Sequence, residues 1–257
     1  MKLEKYHGLG NTFLITSYKE NINYSKLSSL LCNEKSSIGA DGLIVTKVNP
    51  LEMLIYNKDG SEAIMCGNGL RCFLHYCFLS GYLKNKNENI EVRTKSGVYT
   101  CRIISYSPFM SEVKLKRSLV RKEVIGLYSE TYESYYVKVG VRHNVIFVTE
   151  ENKDKIELLI DNFNKYQGFC EETNIDIVKK IDDSNLKVIT YERGVGYTSS
   201  CGTGVVASCL VANYLYGCSS LINVENEYGV LKVNIDGDKV LMKGPSVKVC
   251  NVEVEYA

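Results

Sequence analysis

The sequence predicts an α+β protein of two similar, pseudo-symmetric domains. Each domain is expected to be a β-sheet wrapped around a central helix, with an active site in the cleft between the two domains. Two observations lead to this prediction. A tyrosine precedes a Cys-Gly-x-Gly segment by ten residues in both halves, at Tyr56 and Cys66 and again at Tyr191 and Cys201. The elements predicted after each cysteine also recur in the same order, which indicates a duplicated unit.

A central helix is predicted after each cysteine. Following Cys66, apolar residues recur at helical spacing until Gly81, namely Leu70, Phe73, Leu74, Cys77 and Phe78. Following Cys201, residues 205–212 are apolar on nearly every side, and the segment ends near Gly217. A helix without a polar face is typical of a buried position.

A β-hairpin is predicted after each helix, because apolar residues alternate around a glycine-bearing turn. Five positions of the first hairpin recur in the second at identical spacing: Ile90, Val92, Gly97, Val98 and Ile103 correspond to Ile222, Val224, Gly229, Val230 and Ile235. Agreement across three consecutive elements argues against chance. We therefore predict domains at 1–117 with about 248–257, and at 118–247, the last strand returning to the first domain.

Composition narrows the class of protein. The chain has 257 residues, of which 45% are hydrophobic and 24% charged, as in an ordinary globular protein. The formal net charge is +1 without a dense basic block, so neither nucleic acid nor a membrane is an expected partner. The first residues lack the apolar stretch of a signal peptide, and we expect a cytoplasmic protein. Its ten cysteines are then expected as free thiols, and no metal-ligand spacing is found.

The two Cys-Gly-x-Gly segments contain the candidate reactive residues. Glycines at a helix start let the backbone approach a ligand closely. The first turn of a helix presents N–H donors and a partial positive charge, which suit a carboxylate. The same field favours a thiolate over a thiol. Each segment therefore offers a reactive sulfur, at Cys66 or Cys201, beside half of an anion site.

Two such segments facing each other would hold one carboxylate, with a sulfur on either side of its α-carbon. One thiolate would remove the α-proton while the opposite thiol delivers a proton to the other face, inverting the stereocentre without a cofactor. The alternative is that both cysteines are structural and that Gly-x-Gly is only a helix-entry turn, but their pairing favours function. Neither a phosphate loop nor a dinucleotide fingerprint fits, and no lysine suggests pyridoxal phosphate.

Together with several other stretches, the two Cys-Gly-x-Gly segments resemble the diaminopimelate epimerase family, and the resemblance covers most of the chain. The resembling stretches are His7-Gly8-Leu9-Gly10-Asn11, Gly39-Ala40-Asp41-Gly42, Asn57-Lys58-Asp59-Gly60-Ser61-Glu62, Cys66-Gly67-Asn68-Gly69, Arg71-Cys72, Thr173-Asn174, Glu192-Arg193-Gly194 and Cys201-Gly202-Thr203-Gly204. Two long motifs in this order are highly specific. The resemblance implies cofactor-free epimerisation of L,L-diaminopimelate to the meso form, in lysine and peptidoglycan precursor synthesis, and it suggests a homodimer.

The resemblance also implies roles for individual residues. Cys66 and Cys201 would be the acid and base. The reacting carboxylate would be held by backbone N–H groups at Gly67, Asn68, Gly202 and Thr203. The other polar groups of the amino acid would be bound by Asn11, Asn57, Asn174, Glu192 and Arg193, and His143 and Glu192 would modulate the cysteines.

Departures from the family pattern keep a second substrate open. The family often reads Gly-Asn-Pro-His where this chain has Gly140-Val141-Arg142-His143, so Val141 lacks the side chain that would contact the substrate. Gly42 stands where some members have glutamine, and Tyr197 where Glu or Leu is frequent. One alternative is therefore a racemase of another amino acid with the same mechanism. Another is a non-catalytic binding protein, which would not need both cysteines.

Overall fold

The computed structural model describes residues 1–127, 130–149, 173–192, 196–198 and 201–255. The chain divides into two compact units, Met1–Lys114 with Lys243–Ala257, and Leu115–Met242. The sequence-based ranges end the first domain at 117 and return to it at about 248. In the part of the chain described, none of the helices combines the length and the apolar composition needed to cross a membrane.

The described residues form the following elements. The helices are α1 (Tyr24–Leu31), α2 (Gly67–Leu79) and α3 (Gly202–Tyr216). The strands are β1 (Lys2–Gly8), β2 (Asn11–Ser17), β3 (Gly42–Val48), β4 (Leu51–Asn57), β5 (Glu62–Ala63), β6 (Ile90–Thr94), β7 (Gly97–Tyr106), β8 (Phe109–Lys116), β9 (Arg121–Leu127), β10 (Glu130–Val139), β11 (Val141–Phe147), β12 (Thr173–Lys180), β13 (Asn185–Glu192), β14 (Gly196–Thr198), β15 (Leu221–Asn226), β16 (Gly229–Asp236), β17 (Lys239–Pro245) and β18 (Val247–Glu253).

The strand pairings repeat from one unit to the other. In the first unit, β1 pairs antiparallel with β2 and β2 parallel with β3, while β4 pairs antiparallel with β3 and β5 and parallel with β6. In the second unit, β10, β11, β12, β13, β14 and β15 pair in the same order and directions. The hairpins β6–β7 and β15–β16 close both series. This correspondence confirms the predicted α+β fold of two pseudo-symmetric parts.

An outer strand completes each series. In the first unit β18, the last strand among the described residues, pairs antiparallel with β1, so that Lys2 lies opposite Glu253. In the second unit β9 pairs antiparallel with β10. The final segment of the chain therefore belongs to the sheet that the first segment begins.

Each central helix is buried in its own unit. Helix α2 packs against β1 to β4 and β18, and helix α3 packs against β10 to β13 and β16. All residues of α3 from Gly202 to Ala212 are buried, and the helix ends at Gly217 in the left-handed conformation with φ of 60°. Both predicted central helices are confirmed. Helix α2 is more buried than its apolar pattern predicts, since Asn68 and Arg71 are buried as well.

Gly42 is required by the close approach of β3 to β4. Gly42 lies opposite Asn57, and a Cβ at position 42 would lie 2.7 Å from the carbonyl oxygen of Tyr56. Because that oxygen belongs to the backbone of a paired strand, it cannot move without displacing β4. The structure thus gives a physical reason for glycine at position 42.

We expect Gly42→Ala to destabilise the protein by about 1–3 kcal/mol, the usual cost of forcing an extra carbon into a packed region. Urea denaturation would measure the loss. Val48→Ala at the exposed end of the same strand is the control, and its unfolding free energy should change by less than about 0.5 kcal/mol. Equal midpoints for the two variants would contradict this account of Gly42.

Candidate active site

Cys66 occupies the N-cap of α2. Its backbone is extended, with φ of −147° and ψ of 118°, and its carbonyl accepts the first helical hydrogen bond from Leu70 at 2.9 Å. Its sulfur accepts a hydrogen bond from the backbone N–H of Gly69 at 3.3 Å. A sulfur in this position lies in the positive field of the helix start. The half-buried Cys66 is therefore placed where the sequence predicts a reactive thiol.

Arg71 is a fully buried cation in the first turns of α2. Its Nη2 donates to Asn68 Oδ1 at 2.8 Å, its Nη1 to the carbonyl of Gly67 at 3.4 Å, and its Nε to the carbonyl of Pro245 at 3.2 Å. Burial lowers the pKa of Arg71 to about 10, against the attraction of the sulfurs of Cys72 and Cys66, so the guanidinium is charged at neutral pH. The cation holds the Asn68 side chain and the start of the helix together.

Strand β1 approaches this helix start closely at Gly8. A Cβ at position 8 would lie 3.1 Å from the carbonyl oxygen of Asn68 and 3.3 Å from Nη2 of Arg71. The next turn leads to Asn11, whose Oδ1 is buried and has no hydrogen-bond partner among the described residues. A buried acceptor without a partner is costly, which suits a group that meets a ligand.

Asn57 lies at the end of β4, where a hydrogen-bonded turn holds it. Its Nδ2 donates to Ser61 Oγ at 2.9 Å, and Ser61 in turn donates through its hydroxyl and its backbone N–H to Asp59. Gly60 has φ of +87°, and a Cβ there would lie 2.6 Å from the carbonyl oxygen of Ser25. The Asp-Gly-Ser part of the motif therefore shapes the turn that presents Asn57.

Cys201 is the N-cap of α3, the position equivalent to Cys66. Its carbonyl accepts from Val205 N–H at 2.9 Å, and its sulfur lies 3.4 Å from Thr203 Oγ1. Burial raises the pKa of the Cys201 thiol well above its ordinary value, and the carboxylates of Glu192 and Asp176 raise it further. This direction is opposite to the one that a helix start alone predicts, because burial outweighs the helix field.

His143 is fully buried beside Cys201, on β11. Its Nε2 lies 3.0 Å from Thr203 Oγ1 and its Nδ1 lies 2.7 Å from Asp176 Oδ2. The other oxygen of Asp176 accepts a hydrogen bond from the hydroxyl of Thr190 at 2.7 Å. The structure therefore brings the predicted residues Cys201, Thr203 and His143 into one buried cluster.

The remaining predicted residues lie on neighbouring strand ends. Asn174 on β12 is the register partner of His143 in the parallel pair with β11. Glu192 ends β13, and its Oε1 accepts a hydrogen bond from Thr198 at 2.6 Å. Val141 begins β11 and pairs with Val139. Arg193 lies outside the residues that the structure describes.

Sequence reasoning missed two of the groups that shape the site. Asp176 carries a usable signal, because it lies two residues after Asn174 and hence on the same face of β12. Arg71 was noted only as part of a motif, and nothing local in the sequence predicts its bond to Pro245. Both are buried charges, and each lies in the unit of the cysteine that it neighbours.

Solved structures share this fold. A probable proline racemase from Agrobacterium radiobacter is 12% identical with a TM-score of 0.73, covering 100% of this chain and 93% of that one. A hydroxyproline epimerase from Agrobacterium vitis is 13% identical with a TM-score of 0.72, covering 98% and 91%. At these identities the likeness concerns the fold alone.

Sequence relatives define the family. The model of the diaminopimelate epimerase family matches residues 3–107 and 135–249. A diaminopimelate epimerase of Caldanaerobacter subterraneus is 34% identical over 99% of this chain and 100% of its own length. That of Clostridium perfringens is 35% identical over 98% of both chains. The chain belongs to the diaminopimelate epimerase family.

We expect Arg71→Met to destabilise the protein by about 1–3 kcal/mol, because the buried oxygens of Asn68, Gly67 and Pro245 lose their donor. The catalytic activity should fall as well, since the start of α2 loses its anchor. Arg93→Met, at an exposed arginine of the same unit, is the control. Thermal unfolding and initial rates at 25 °C would measure both effects, and wild-type values for Arg71→Met would contradict them.

Proposed function

We propose that this chain is a cytoplasmic diaminopimelate epimerase that converts L,L-diaminopimelate to the meso form without a cofactor. It would serve lysine and peptidoglycan precursor synthesis. The observation that carries the proposal is the duplicated helix start, each with a cysteine at its N-cap, in a chain related over its full length to enzymes of that name. In the sequence, the residues that we expect to bind the two amino-acid groups of diaminopimelate lie near these cysteines.

The chemistry requires an acid and a base on opposite faces of the α-carbon. One sulfur, as a thiolate, takes the α-proton, and the electron pair of the C–H bond stays on carbon. The other sulfur, as a thiol, gives its proton to the opposite face and becomes the thiolate. Cys66 and Cys201 supply one sulfur from each unit, so the reaction is balanced without a further reactant.

The carbanion and the substrate carboxylate need hydrogen-bond donors. The first turns of α2 and α3 present backbone N–H groups at Gly67, Asn68, Gly202 and Thr203, and such donors stabilise negative charge strongly where water is excluded. Asn11 supports this assignment, because its buried Oδ1 has no partner among the described residues and a substrate ammonium group would supply the missing donor.

The distal end of the substrate separates diaminopimelate from other amino acids. Asn57, Asn174 and Glu192 are retained, and Arg193 offers a planar donor pair for a second carboxylate. Val141 favours the alternative, a racemase of another amino acid, since its side chain cannot hydrogen bond to a polar substrate. These four polar residues together can bind a second amino-acid group at the far end of the substrate, and we therefore favour diaminopimelate.

The experiment that tests the function is α-proton exchange followed by NMR in heavy water under reducing conditions. L,L-diaminopimelate is compared with a panel of common L-amino acids. We expect rapid exchange with diaminopimelate and none with the panel. Exchange with a different amino acid would transfer the mechanism to another racemase, and a complete absence of exchange would support a non-catalytic protein.

We expect Cys66→Ala and Cys201→Ala each to lower the rate of epimerisation by at least about a hundredfold, because an acid or base is removed from the transition state. Both variants should fold, since the hydrogen bonds of a sulfur, such as those to Gly69 and Thr203, are weak. Cys250→Ala, at an exposed cysteine on β18, is the control and should retain full activity. Near-normal turnover in either of the first two variants would refute the two-base assignment.

A further inference from the structure

A continuous chain of buried polar side chains leads from β12 to Cys201. Asp176 Oδ2 lies 2.7 Å from Nδ1 of His143, and Nε2 of His143 lies 3.0 Å from Thr203 Oγ1. The same hydroxyl lies 3.4 Å from the sulfur of Cys201. Asp176 and His143 are 0% exposed, and Thr203 and Cys201 are 8% exposed. The chain is thus shielded from water at every step.

Asp176 is held firmly at the far end of this chain. Its Oδ1 accepts a hydrogen bond from Thr190 Oγ1 at 2.7 Å, so both carboxylate oxygens are engaged. A Cβ on Gly204 would lie 2.2 Å from Oδ1 of Asp176 and 2.7 Å from Oγ1 of Thr190. The backbone of α3 therefore leaves space for the carboxylate only because residue 204 is glycine.

An ionised carboxylate beside a neutral imidazole fixes the direction of each hydrogen bond. An ionised carboxylate only accepts, so Nδ1 of His143 carries a proton. In a neutral imidazole Nε2 is then the acceptor, and the hydroxyl proton of Thr203 points towards it. Since a hydroxyl has one proton, Thr203 Oγ1 remains an acceptor towards Cys201. The sulfur can complete that contact only as S–H.

We propose that Asp176 is a positioning residue which, through His143 and the hydroxyl of Thr203, holds Cys201 as a thiol in the free protein. Cys201 then begins turnover as the proton donor. As the α-carbanion takes the proton, its electron pair forms the new C–H bond and sulfur retains the S–H pair as a thiolate. The role of Cys201 as proton donor rests on the proposed function. Its protonation in the free protein is argued only from contacts within the second unit and does not depend on that function.

The charges around Cys201 act in the same direction. Glu192 on β13 and Asp176 on β12 both raise the pKa of the thiol, in addition to burial. A hydrogen bond from the backbone of Gly204 opposes the increase, and one from Thr203 would oppose it only with the hydroxyl proton turned from His143 to the sulfur. Among the residues that the structure describes, His143 on β11 is a further titratable neighbour, and it contacts the sulfur through Thr203. Removing the charge of Asp176 should therefore favour the thiolate.

The test is a pH titration of Cys201 in the full chain, read from the NMR signal of its isotopically labelled Cβ. The signal is assigned by its loss in Cys201→Ser. In Asp176→Asn the carboxylate charge is absent, and the amide can donate to Nδ1 of His143. Each hydrogen bond from residue 176 to Cys201 then runs in the opposite direction, so that Thr203 donates to the sulfur. We expect the titration midpoint to move to lower pH by about one unit, a tenfold change in the thiolate fraction.

Thr190→Val is the matched control. It removes the hydrogen bond to Oδ1 of Asp176 but keeps the carboxylate and its contact with His143, so the midpoint should stay at the wild-type value. An equal shift in both variants would indicate general loosening of the cluster and overturn the proposal. So would an unchanged or higher midpoint in Asp176→Asn, the higher value indicating that an imidazolium had been stabilising a thiolate.

A second measurement needs no variant at Asp176. Nitrogen NMR of labelled histidine in the wild-type protein should show His143 neutral with its proton on Nδ1, and an imidazolium or a proton on Nε2 would overturn the proposal. In kinetics, the high-pH limb of kcat/KM should move to lower pH in Asp176→Asn. A wild-type protein that exchanges no α-proton would defeat the proposed function, and both NMR measurements would still decide the state of Cys201.

Discussion

The burial of a helix start is the constraint on which each unit depends. The first turn of a helix leaves N–H groups without helical partners, and the polar side chains that are buried beside them need partners other than bulk water. In the first unit Arg71 ties Asn68 and Gly67 to the segment at Pro245. In the second unit the cluster around Asp176 surrounds the start of α3. Glycines at positions 8 and 204 allow both approaches.

The side chains that are buried at the two helix starts carry opposite charges. Their strands pair in the same order, and their cysteines occupy the same N-cap position. Arg71 places a buried cation near Cys66, whereas Asp176 and Glu192 place anions near Cys201. Backbone symmetry therefore coexists with electrostatic asymmetry. A reaction in which one sulfur takes a proton while the other gives one is suited to such a difference.

Much of the fold could be predicted because its signals are local and occur twice. The helices after Cys66 and Cys201 and the two hairpins follow from apolar spacing within short segments, and the repeat makes each copy support the other. The site was predictable only as far as its motifs extend. Arg71 meets Pro245 from 174 residues away, and His143 meets Thr203 from 60 away. Contacts of that kind leave no periodic pattern.

The protonation of Cys201 shows the same limit. A sequence reveals that a cysteine begins a helix, and the field of the helix predicts a lowered pKa. It does not reveal that the sulfur is buried beside two carboxylates, and this burial decides the direction. Gly42 is a similar case, because its need for glycine arises from a carbonyl on the neighbouring strand.

The pairing of β1 with β18 has a consequence for how the chain is made. The first unit is built from two segments that are distant in the chain, whereas the second is one continuous segment between them. During synthesis, β18 is made after the whole second unit, so the first sheet stays open along the edge of β1 until then. Although domains usually fold from the N-terminus during translation, here the later-made unit is the first that can close. Before β18 is made, the edge of β1 carries unpaired backbone N–H and C=O groups, which are a template for pairing with another chain.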